Sequence, residues 1–363
     1  MTSDKLVVRL GARSYPIHIQ EGAVELLPRV LDELSAVGAV GVVTDTNVAP
    51  LYGDRVAKLI EASGARVHQC VLPAGEEHKR LAQVEHLCGE FLRAGLDRTS
   101  VVVALGGGVV GDIAGFAAAS FMRGIRFVQI PTTIVAQVDS SVGGKTGVNH
   151  PLAKNMIGAF HQPSAVVIDL SFLKSLPVRE LKAGLAEVIK HGIIADAILF
   201  SYMEEKVEAI LAGNLNVLEF PVRRSCEIKA AIVAADEREQ GLRANLNYGH
   251  TFGHGIETAS GYTTYLHGEA VALGMHAAGV LSRNLGLVND AFVERQRACI
   301  ASYGLPVSWP EIPIDSVLDT MKHDKKVRAG TTKFVVADEI GHVQQRTDIS
   351  LSQAREALEA LRG

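Results

Sequence analysis

The first half of the chain alternates short apolar runs, rich in β-branched residues, with longer segments of helical periodicity. Several of these runs are continuous rather than alternating, which is typical of parallel strands covered by helices on both faces. The pattern therefore predicts an α/β fold around a parallel sheet. The predicted strands are Lys5–Leu10, Tyr15–Ile19, Ala39–Thr44, Ala65–Leu72, Ser100–Leu105, Arg126–Ile130 and Ala165–Ile168, with helices that include Asn47–Ala62 and Glu76–Ala94.

After Pro177 the pattern changes to helical segments that follow one another directly. The predicted helices are Val178–Ile193, Ala195–Leu211, Asn216–Ala235, Asn245–Gly261, Gly268–Leu285 and Asp290–Tyr303, and only Lys333–Val336 and His342–Gln344 are predicted to be extended. A chain of 363 residues is long enough for two hydrophobic cores. The sequence thus predicts an α/β domain with a Rossmann-like sheet over residues 1–177 and a mainly α-helical domain over residues 178–363.

Composition narrows the possible functions. Apolar residues make up 47% of the chain and charged residues 21%, as in an ordinary soluble globular protein. A net charge of −4 argues against nucleic acid as a partner. The most apolar stretch, Val101–Phe121, contains Asp112 and several glycines, which argues against a membrane span. The four cysteines include no Cys-x-x-Cys pair, and the N-terminus does not resemble a signal peptide, so we expect a cytoplasmic protein.

A glycine-rich loop, Gly106–Asp112, lies between a predicted strand and a predicted helix. Glycines let the backbone approach a pyrophosphate, and a helix N-terminus favours its charge. The alternative is a tight packing turn. We favour nucleotide binding, although not in the standard dinucleotide arrangement, because the loop follows a later strand and no acidic residue lies near position 131.

Two further segments are candidates for ligand binding. Asp139–Thr146 ends in Gly-Lys-Thr, but it lacks the first glycine of a P-loop, so we expect a phosphate-binding turn rather than a nucleoside triphosphatase. Thr44–Asn47 follows an early strand, where ligands bind in open α/β sheets. Its Asp45 could bind a ribose hydroxyl or only cap the next helix.

Histidines and lysines indicate a metal and an anionic substrate. His250 and His254 are four residues apart, which places them on one helix face, and Glu187 with His191 forms a second pair of this kind. Helical spacing cannot choose between these metal pairs or exclude local hydrogen bonding. Near the motifs lie five lysines, which on an acidic chain suggest a sugar phosphate or a carboxylate: Lys145, Lys154, Lys190, Lys229 and Lys325.

Taken together, these segments resemble one family over essentially the whole chain. The matching stretches are residues 106–112, 123–133, 139–146, 154–160, 186–190, 236–243, 246–250 and 324–326. Several such motifs in order are highly specific, and the family they resemble is 3-dehydroquinate synthase.

The resemblance implies a homodimeric lyase of the shikimate pathway that depends on NAD and on Zn²⁺ or Co²⁺. Its substrate would be 3-deoxy-D-arabino-heptulosonate 7-phosphate, converted to 3-dehydroquinate and phosphate by transient oxidation, elimination, re-reduction and aldol closure.

The resemblance also implies the roles of individual residues. The metal ligands would be Glu187, His250 and His267, with His254 beside the metal and His191 a bystander. The NAD site would comprise Asp45, Asn47, Glu76, Lys79, Gly107, Gly108, Val109, Asp112, Thr132, Thr133, Asp139, Ser140, Lys145, Lys154 and Phe172. The substrate and catalytic residues would be Lys145, Lys154, Asn155, Lys190, Lys229, Glu239, Arg243, Asn247, His254 and Lys325, with Arg123 reaching the partner subunit's phosphate site.

Three alternatives are weighed against this interpretation. A metal-dependent glycerol or alcohol dehydrogenase would share the glycine loop and a histidine pair but would not need the lysines. Another sugar-phosphate cyclase, making an inosose or a valiolone, would differ at substrate positions, and Asn247 and Lys325 match the dehydroquinate pattern. A catalytically silent NAD-binding regulator is disfavoured because the candidate metal ligands and lysines are all present.

Overall fold

The computed structural model describes residues 5–36, 38–261, 264–322 and 332–363. The chain divides into two compact units, Met1–Leu176 with Lys229–Arg238, and Pro177–Ile228 with Glu239–Gly363. The sequence-based division at residue 177 placed Lys229–Arg238 in the second domain, whereas these residues belong to the first unit. Periodicity could not reveal this, because the helix Leu215–Ala235 continues through the change of unit.

The first unit is built on a seven-stranded sheet with the order β1-β2-β9-β6-β5-β3-β4. Every neighbouring pair is parallel except β1 with β2. All seven strands predicted for this unit are present, with ends within two residues of the prediction. The strands are β1 (Leu6–Val8), β2 (Tyr15–Gln20), β3 (Ala39–Asp45), β4 (Arg66–Leu72), β5 (Val101–Gly106), β6 (Arg126–Pro131) and β9 (Ala165–Asp169).

Helices cover both faces of this sheet, which explains the continuous apolar strands. They are α1 (Leu27–Glu33), α2 (Asp54–Ala62), α3 (Leu81–Arg93) and α4 (Gly108–Ser120). In β5, Val103 joins the core cluster formed with α1 and α2, whereas its neighbour Val102 joins the cluster formed with α3 and α4. Successive residues thus fill opposite cores, as the two-residue repeat of a strand requires.

An antiparallel hairpin, β7 (Lys145–His150) and β8 (Ala153–Phe160), lies outside the main sheet. The sequence-based prediction contained no strand here, because the segment is rich in polar residues and glycine. Close packing explains part of this composition: a Cβ on Gly115 of α4 would lie 2.5 Å from Thr146, and one on Gly158 would lie 2.1 Å from the carbonyl oxygen of Thr146. The hairpin therefore packs tightly on α4.

The second unit is mainly helical. Its helices are α5 (Val178–Ala195), α6 (Ala197–Glu205), α7 (Val207–Leu211), α8 (Leu215–Ala235, shared with the first unit), α9 (His250–Ala259), α10 (His267–Asn284), α11 (Asp290–Ser302), α12 (Ile314–Lys322) and α13 (Leu351–Glu359). A hairpin of β10 (Phe334–Glu339) and β11 (His342–Arg346) completes it. None of the helices in the described part of the chain is both long and apolar enough to cross a membrane.

The starts of the two helices that carry His250 and His267 differ from the prediction. The segment predicted as one helix over Asn245–Gly261 is a 3₁₀ turn, Leu242–Asn247, followed by α9. Gly249, between them, has a φ of 76°, a left-handed conformation that glycine adopts without strain. The break makes His250 the first residue of a helix, and His267 likewise begins α10.

Buried Asp169 should be the most important polar group for the stability of the first unit. Its Oδ1 accepts hydrogen bonds from the backbone of Gly22 and Ser171, both at 2.9 Å, and its Oδ2 accepts one from Val24 at 3.2 Å. Asp169→Ala would leave these N–H donors without an acceptor. We therefore expect urea denaturation to show a loss of about 3 kcal/mol in the free energy of unfolding.

The matched control is Ser350→Ala. Ser350 is exposed, caps α13 and accepts from the backbone of Gln353, so its loss should cost about 1 kcal/mol. An Asp169→Ala protein as stable as the Ser350→Ala protein would contradict the prediction.

Candidate active site

Three side chains of the second unit meet at one point. Glu187 of α5, His250 of α9 and His267 of α10 present ligand atoms that all lie within 4.8 Å of one another. Oε1 of Glu187 lies 3.6 Å from Nε2 of each histidine. This oxygen is buried and has no hydrogen-bond partner among the described residues. A carboxylate and two imidazoles are a ligand set that suits zinc or a similar transition metal.

Both histidines are held by their other ring nitrogen. Nδ1 of His250 lies 3.2 Å from the carbonyl oxygen of Tyr248, and Nδ1 of His267 lies 3.4 Å from Oε2 of Glu257. A carbonyl or carboxylate at Nδ1 is the usual support of a metal-binding histidine, because it selects the tautomer that presents Nε2. Glu257 was not among the residues predicted from the sequence, although it lies seven residues after His250, on the same face of α9.

Glycines allow the three helices to approach closely enough. A Cβ on Gly268 would lie 1.7 Å from the carbonyl oxygen of Ala183 in α5, and one on Gly274 would lie 2.1 Å from the carbonyl oxygen of Gly249. Any side chain at these positions would force α10 away from its neighbours. The contacts thus fix the start of α10, and with it His267, against α5 and the start of α9.

The charges around this point favour the states that bind a metal. Burial raises the pKa of Glu187, but the ammonium of Lys190, which donates to Oε2, and the two histidines outweigh it and hold the pKa well below its usual range. Burial and Lys190 lower the pKa of His250 well below its usual value. Glu187 is therefore ionised and His250 neutral, as metal coordination requires.

His267 behaves differently. Burial lowers its pKa, but the carboxylates of Glu187 and Glu257 overcome this effect and raise the pKa to about 10. Without an ion, the imidazole of His267 therefore carries a proton near neutral pH.

Neither of the helical pairs seen in the sequence supplies this group of ligand atoms. The ring of His254 lies 5.5 Å from that of His250 and 6.2 Å from that of His267, between centroids, so it is beside the group without belonging to it. His191 is buried in α5 and is also outside the group. Packing between helices, rather than spacing within one helix, decides which candidate ligand atoms lie together.

A second group, His68, Cys70 and Glu90 in the first unit, also has ligand atoms close together. Here Glu90 already interacts with two partners, His68 at 3.1 Å and the guanidinium of Arg93. Burial, with Glu90, raises the pKa of the Cys70 thiol to about 12. These polar groups are satisfied without an ion, so we assign no metal to them.

The glycine loop of the first unit brings several predicted nucleotide-binding residues together. A Cβ on Gly107 would lie 3.1 Å from Thr133, and one on Gly108 would lie 3.1 Å from the hydroxyl of Ser140. Gly107 precedes the first turn of α4, which contains Val109 and offers backbone N–H groups to an anion. The glycines also serve packing, since a Cβ on Gly111 would lie 2.6 Å from Gln129. The packing interpretation of this loop is therefore confirmed, and its role in nucleotide binding stays a prediction.

Two ion pairs join other predicted residues of the first unit. Nζ of Lys79 lies 2.6 Å from Oδ2 of Asp112 and 2.6 Å from Oδ1 of Asn155. Burial lowers the pKa of Lys79, but Asp112 and Glu76 more than compensate and raise it. Lys229 donates to both the side chain and the backbone carbonyl of Asp139. Residues expected to bind NAD thus contact residues expected to bind substrate.

Two of the predicted nucleotide residues, Asp45 and Phe172, have structural roles. Oδ1 of Asp45 accepts from the backbone of Asn47 at 2.8 Å and of Val48 at 3.0 Å, so Asp45 caps the following turn. Asn47 is exposed, and Phe172 is buried in the core, with its ring 4.3 Å from that of Tyr52. Roles of these residues in nucleotide binding remain predictions.

The remaining predicted residues differ in exposure. Lys190 and Arg243 are buried, and Asn247 donates to Oε1 of Glu239 at 2.8 Å, all in the second unit. Thr132 is also buried. Lys145 begins β7, a strand rather than the helix of a P-loop, and Lys154 lies on β8. Lys325 lies outside the described residues.

Arg123 is exposed and has a φ of 69°. It lines an open cavity of about 570 Å³ with Arg98, Arg126 and His161.

Comparison with protein families decides the relationship. A model of the 3-dehydroquinate synthase N-terminal domain matches residues 69–183, and a model of its C-terminal domain matches residues 184–327. Together they span more than half of the chain. The chain belongs to the superfamily of 3-dehydroquinate synthase and the sugar-phosphate cyclases.

Solved structures resemble this cyclase along nearly its whole length. The 2-epi-5-epi-valiolone synthase of Streptomyces hygroscopicus subsp. jinggangensis, with NAD⁺ and Zn²⁺ bound, is 30% identical, with 98% of this chain and 99% of that chain covered and a TM-score of 0.89. A 2-deoxy-scyllo-inosose synthase complexed with carbaglucose-6-phosphate, NAD⁺ and Co²⁺ is 24% identical, with the same coverage and a TM-score of 0.90. Glycerol dehydrogenase from Schizosaccharomyces pombe shares the fold at 17% identity, with 93% of this chain and 87% of that chain covered and a TM-score of 0.66.

The ligand set predicts which substitutions remove the metal from the cyclase. Glu187→Gln, His250→Ala and His267→Ala should each abolish stoichiometric zinc, measured by atomic absorption on dialysed, folded protein, because each removes one of the three candidate ligands found among the described residues. His191→Ala is the matched control and should keep its zinc, since His191 lies on the same helix as Glu187 but outside the ligand group. Full zinc content in any of the three variants would refute the assignment.

The raised pKa of His267 predicts that the metal competes with a proton. Below a pKa of about 10 the free imidazole is protonated, so an ion must displace that proton to bind. Apparent zinc affinity should therefore fall about tenfold for each pH unit below that pKa, with about one proton released per ion. Calorimetry of the metal-free protein in buffers of different ionisation enthalpy counts the proton directly. Zinc binding without proton release at about pH 7.5 would contradict this.

Proposed function

We propose that this cyclase is a 3-dehydroquinate synthase, which converts 3-deoxy-D-arabino-heptulosonate 7-phosphate to 3-dehydroquinate and phosphate. The observation that carries the proposal is the group of Glu187, His250 and His267, with the Lys190 ammonium held against it. Such a site can bind an anionic polyhydroxy compound and polarise one of its hydroxyls. The two family models matched along the chain support a sugar-phosphate cyclase. The motifs that resemble 3-dehydroquinate synthase are what favour this substrate.

Glu187, His250 and His267 would hold Zn²⁺ or Co²⁺. When bound, the ion lowers the pKa of a substrate hydroxyl and so eases its oxidation. The residues fit this task because Oε1 of Glu187 is buried without a hydrogen-bond partner in the described part of the chain, and both histidines present Nε2. The chain supplies three ligands, which leaves further coordination positions for substrate.

NAD would bind the first unit at the glycine loop, where it supplies reversible hydride transfer. Gly107 and Gly108 would let the pyrophosphate approach the backbone before α4. The Lys79–Asp112 pair would stand beside it, together with Glu76. The expected cycle consumes no net NAD, since the hydride taken from the substrate is returned.

The remaining polar residues would bind and orient the substrate. Lys190 and Arg243 are buried cations of the second unit, suited to a carboxylate or phosphate. Asn247 is held by Glu239 at 2.8 Å and can direct its carbonyl oxygen to a hydroxyl. His254, beside the ligand histidines, is placed to hold or transfer a proton at its imidazole. Cations aligned in this way stabilise charge as phosphate leaves.

We also propose a homodimer in which Arg123 acts across the subunit interface. Arg123 is exposed and lies in a cavity with other cationic side chains, Arg98 and Arg126. Such a surface is suited to a phosphate group presented by a second copy of the chain.

The valiolone and inosose synthases are the main competing functions, because solved structures of both resemble this chain. Phosphate release alone cannot separate them, since each cyclase acts on a sugar phosphate. The test must therefore offer each sugar phosphate separately and identify the carbocyclic product.

The assay incubates purified protein with NAD, Zn²⁺ and one substrate at a time: the heptulosonate 7-phosphate, sedoheptulose 7-phosphate or glucose 6-phosphate. We expect phosphate and 3-dehydroquinate in equal amounts from the first and a specificity constant at least about 100-fold lower for the others, because a missing polar contact in a buried site costs several kcal/mol. Colorimetric phosphate and mass spectrometry provide the measurements.

Glu187→Gln serves as the inactive control, since it keeps the shape of the side chain but loses its charge. A preference for sedoheptulose 7-phosphate would identify a valiolone synthase instead, and a preference for glucose 6-phosphate an inosose synthase. Net accumulation of NADH without phosphate release would identify a dehydrogenase.

A further inference from the structure

Asn149, a residue without an assigned role, connects two segments of the first unit. Its side-chain Nδ2 donates to Oε1 of Glu76 at 2.8 Å, and its Oδ1 accepts from the backbone of Asn155 at 2.8 Å. Its own backbone N–H donates to the carbonyl oxygen of Lys79, again at 2.8 Å, next to a parallel bridge with Arg80. One asparagine thus holds both the segment 76–80 and the turn of the β7–β8 hairpin.

These hydrogen bonds form a closed ring. Asn149 binds the backbone of Lys79, the Lys79 ammonium binds Oδ1 of Asn155 at 2.6 Å, and the backbone of Asn155 returns to Asn149. Asn155 has a φ of 54°, a left-handed conformation that a non-glycine residue adopts only at a cost. The ring supplies the contacts that compensate this cost, and it ties the Lys79–Asp112 ion pair to the hairpin.

The side-chain amide of Asn149 satisfies both of its partners because it carries a donor and an acceptor. The Glu76 carboxylate needs a donor, and the N–H of Asn155 needs an acceptor. Aspartate has nearly the same shape and can still accept from Asn155, but it cannot donate to Glu76 and would place a like charge beside it. Alanine loses both contacts.

We infer that Asn149 is a positioning residue that orients Glu76 and Lys79 for the nucleotide and Lys154 and Asn155 for the sugar phosphate. The inference rests on the proposed function for the identity of both ligands. By holding the two segments in one ring, Asn149 couples the geometry of the nucleotide site to that of the hairpin.

The test compares two substitutions of Asn149 in the full-length, zinc-loaded protein. Asn149→Asp should raise the dissociation constant of NAD roughly 10-fold, since a hydrogen bond to a charged group is lost and a repulsion is added. It should leave KM for the sugar phosphate within about twofold, because the acceptor for Asn155 remains. Asn149→Ala should impair both constants. Calorimetry without substrate gives the first constant, and phosphate release at saturating NAD gives the second.

A double-mutant cycle isolates the contact with Glu76. In a Glu76→Gln background the donor and acceptor can be exchanged, because the new side-chain amide at position 76 can donate to an aspartate at position 149. The penalty of Asn149→Asp on NAD binding should therefore shrink several-fold in that background. The inference would be overturned if the penalty of Asn149→Asp were unchanged in that background. It would also be overturned if Asn149→Asp and Asn149→Ala both bound NAD within twofold of wild type.

Asn289→Ala is the matched control for stability. Asn289 also accepts a backbone hydrogen bond, from Phe292 at the start of α11, but it lies in the second unit. It should lower the unfolding temperature as the Asn149 variants do and leave both constants unchanged. If Asn289→Ala changed them equally, a merely structural role of Asn149 would explain its effect. A wild-type protein that binds NAD but releases no phosphate would refute the proposed function alone, and the nucleotide measurements would still decide the role of Asn149.

Discussion

The structure of the second unit depends on the burial of one carboxylate. An isolated charge in a protein interior is strongly unfavourable, so Glu187 requires partners on every side. Lys190, one turn along the same helix, supplies an ammonium, while two histidines approach the other oxygen. The close contacts at Gly268 and Gly274 bring those histidines into range. The Lys190 ammonium, the packing of the helices and a bound metal ion would thus all stabilise the same buried carboxylate.

The main sheet could be predicted from the sequence because its strands are buried on both faces. Val101–Leu105 and Ala165–Ile168 are apolar at every position, so local composition alone identifies them. The hairpin of β7 and β8 could not be found in this way. Its glycines and polar side chains contact α4 and form hydrogen bonds to residues far away in sequence. A pattern of neighbouring residues carries no information about such distant contacts.

The site was located by spacing but not resolved by it. Helical periodicity grouped His250 with His254 and Glu187 with His191, because it compares positions within one helix. The clustered candidate ligand atoms come from three helices, and their clustering follows from where α10 crosses α5 and α9. The family resemblance implied Glu187, His250 and His267 as one group, and the structure brings these three side chains together. Their role as metal ligands stays a prediction. Neither helical spacing nor the family resemblance pointed to Glu257 or Asn149, because these two residues act through other residues.

The three ligands have a mechanical consequence. They lie on helices that are separated along the chain by as many as 80 positions, from Glu187 to His267. An ion held by all of them would act as a cross-link, and cross-links that close long loops restrict the unfolded chain most. Glycines weaken a helix on their own. At the helix crossings they allow the close approach that brings the ligands together, and a bound ion would then hold those helices in place. A chelator would in effect be a denaturant directed at one half of the molecule.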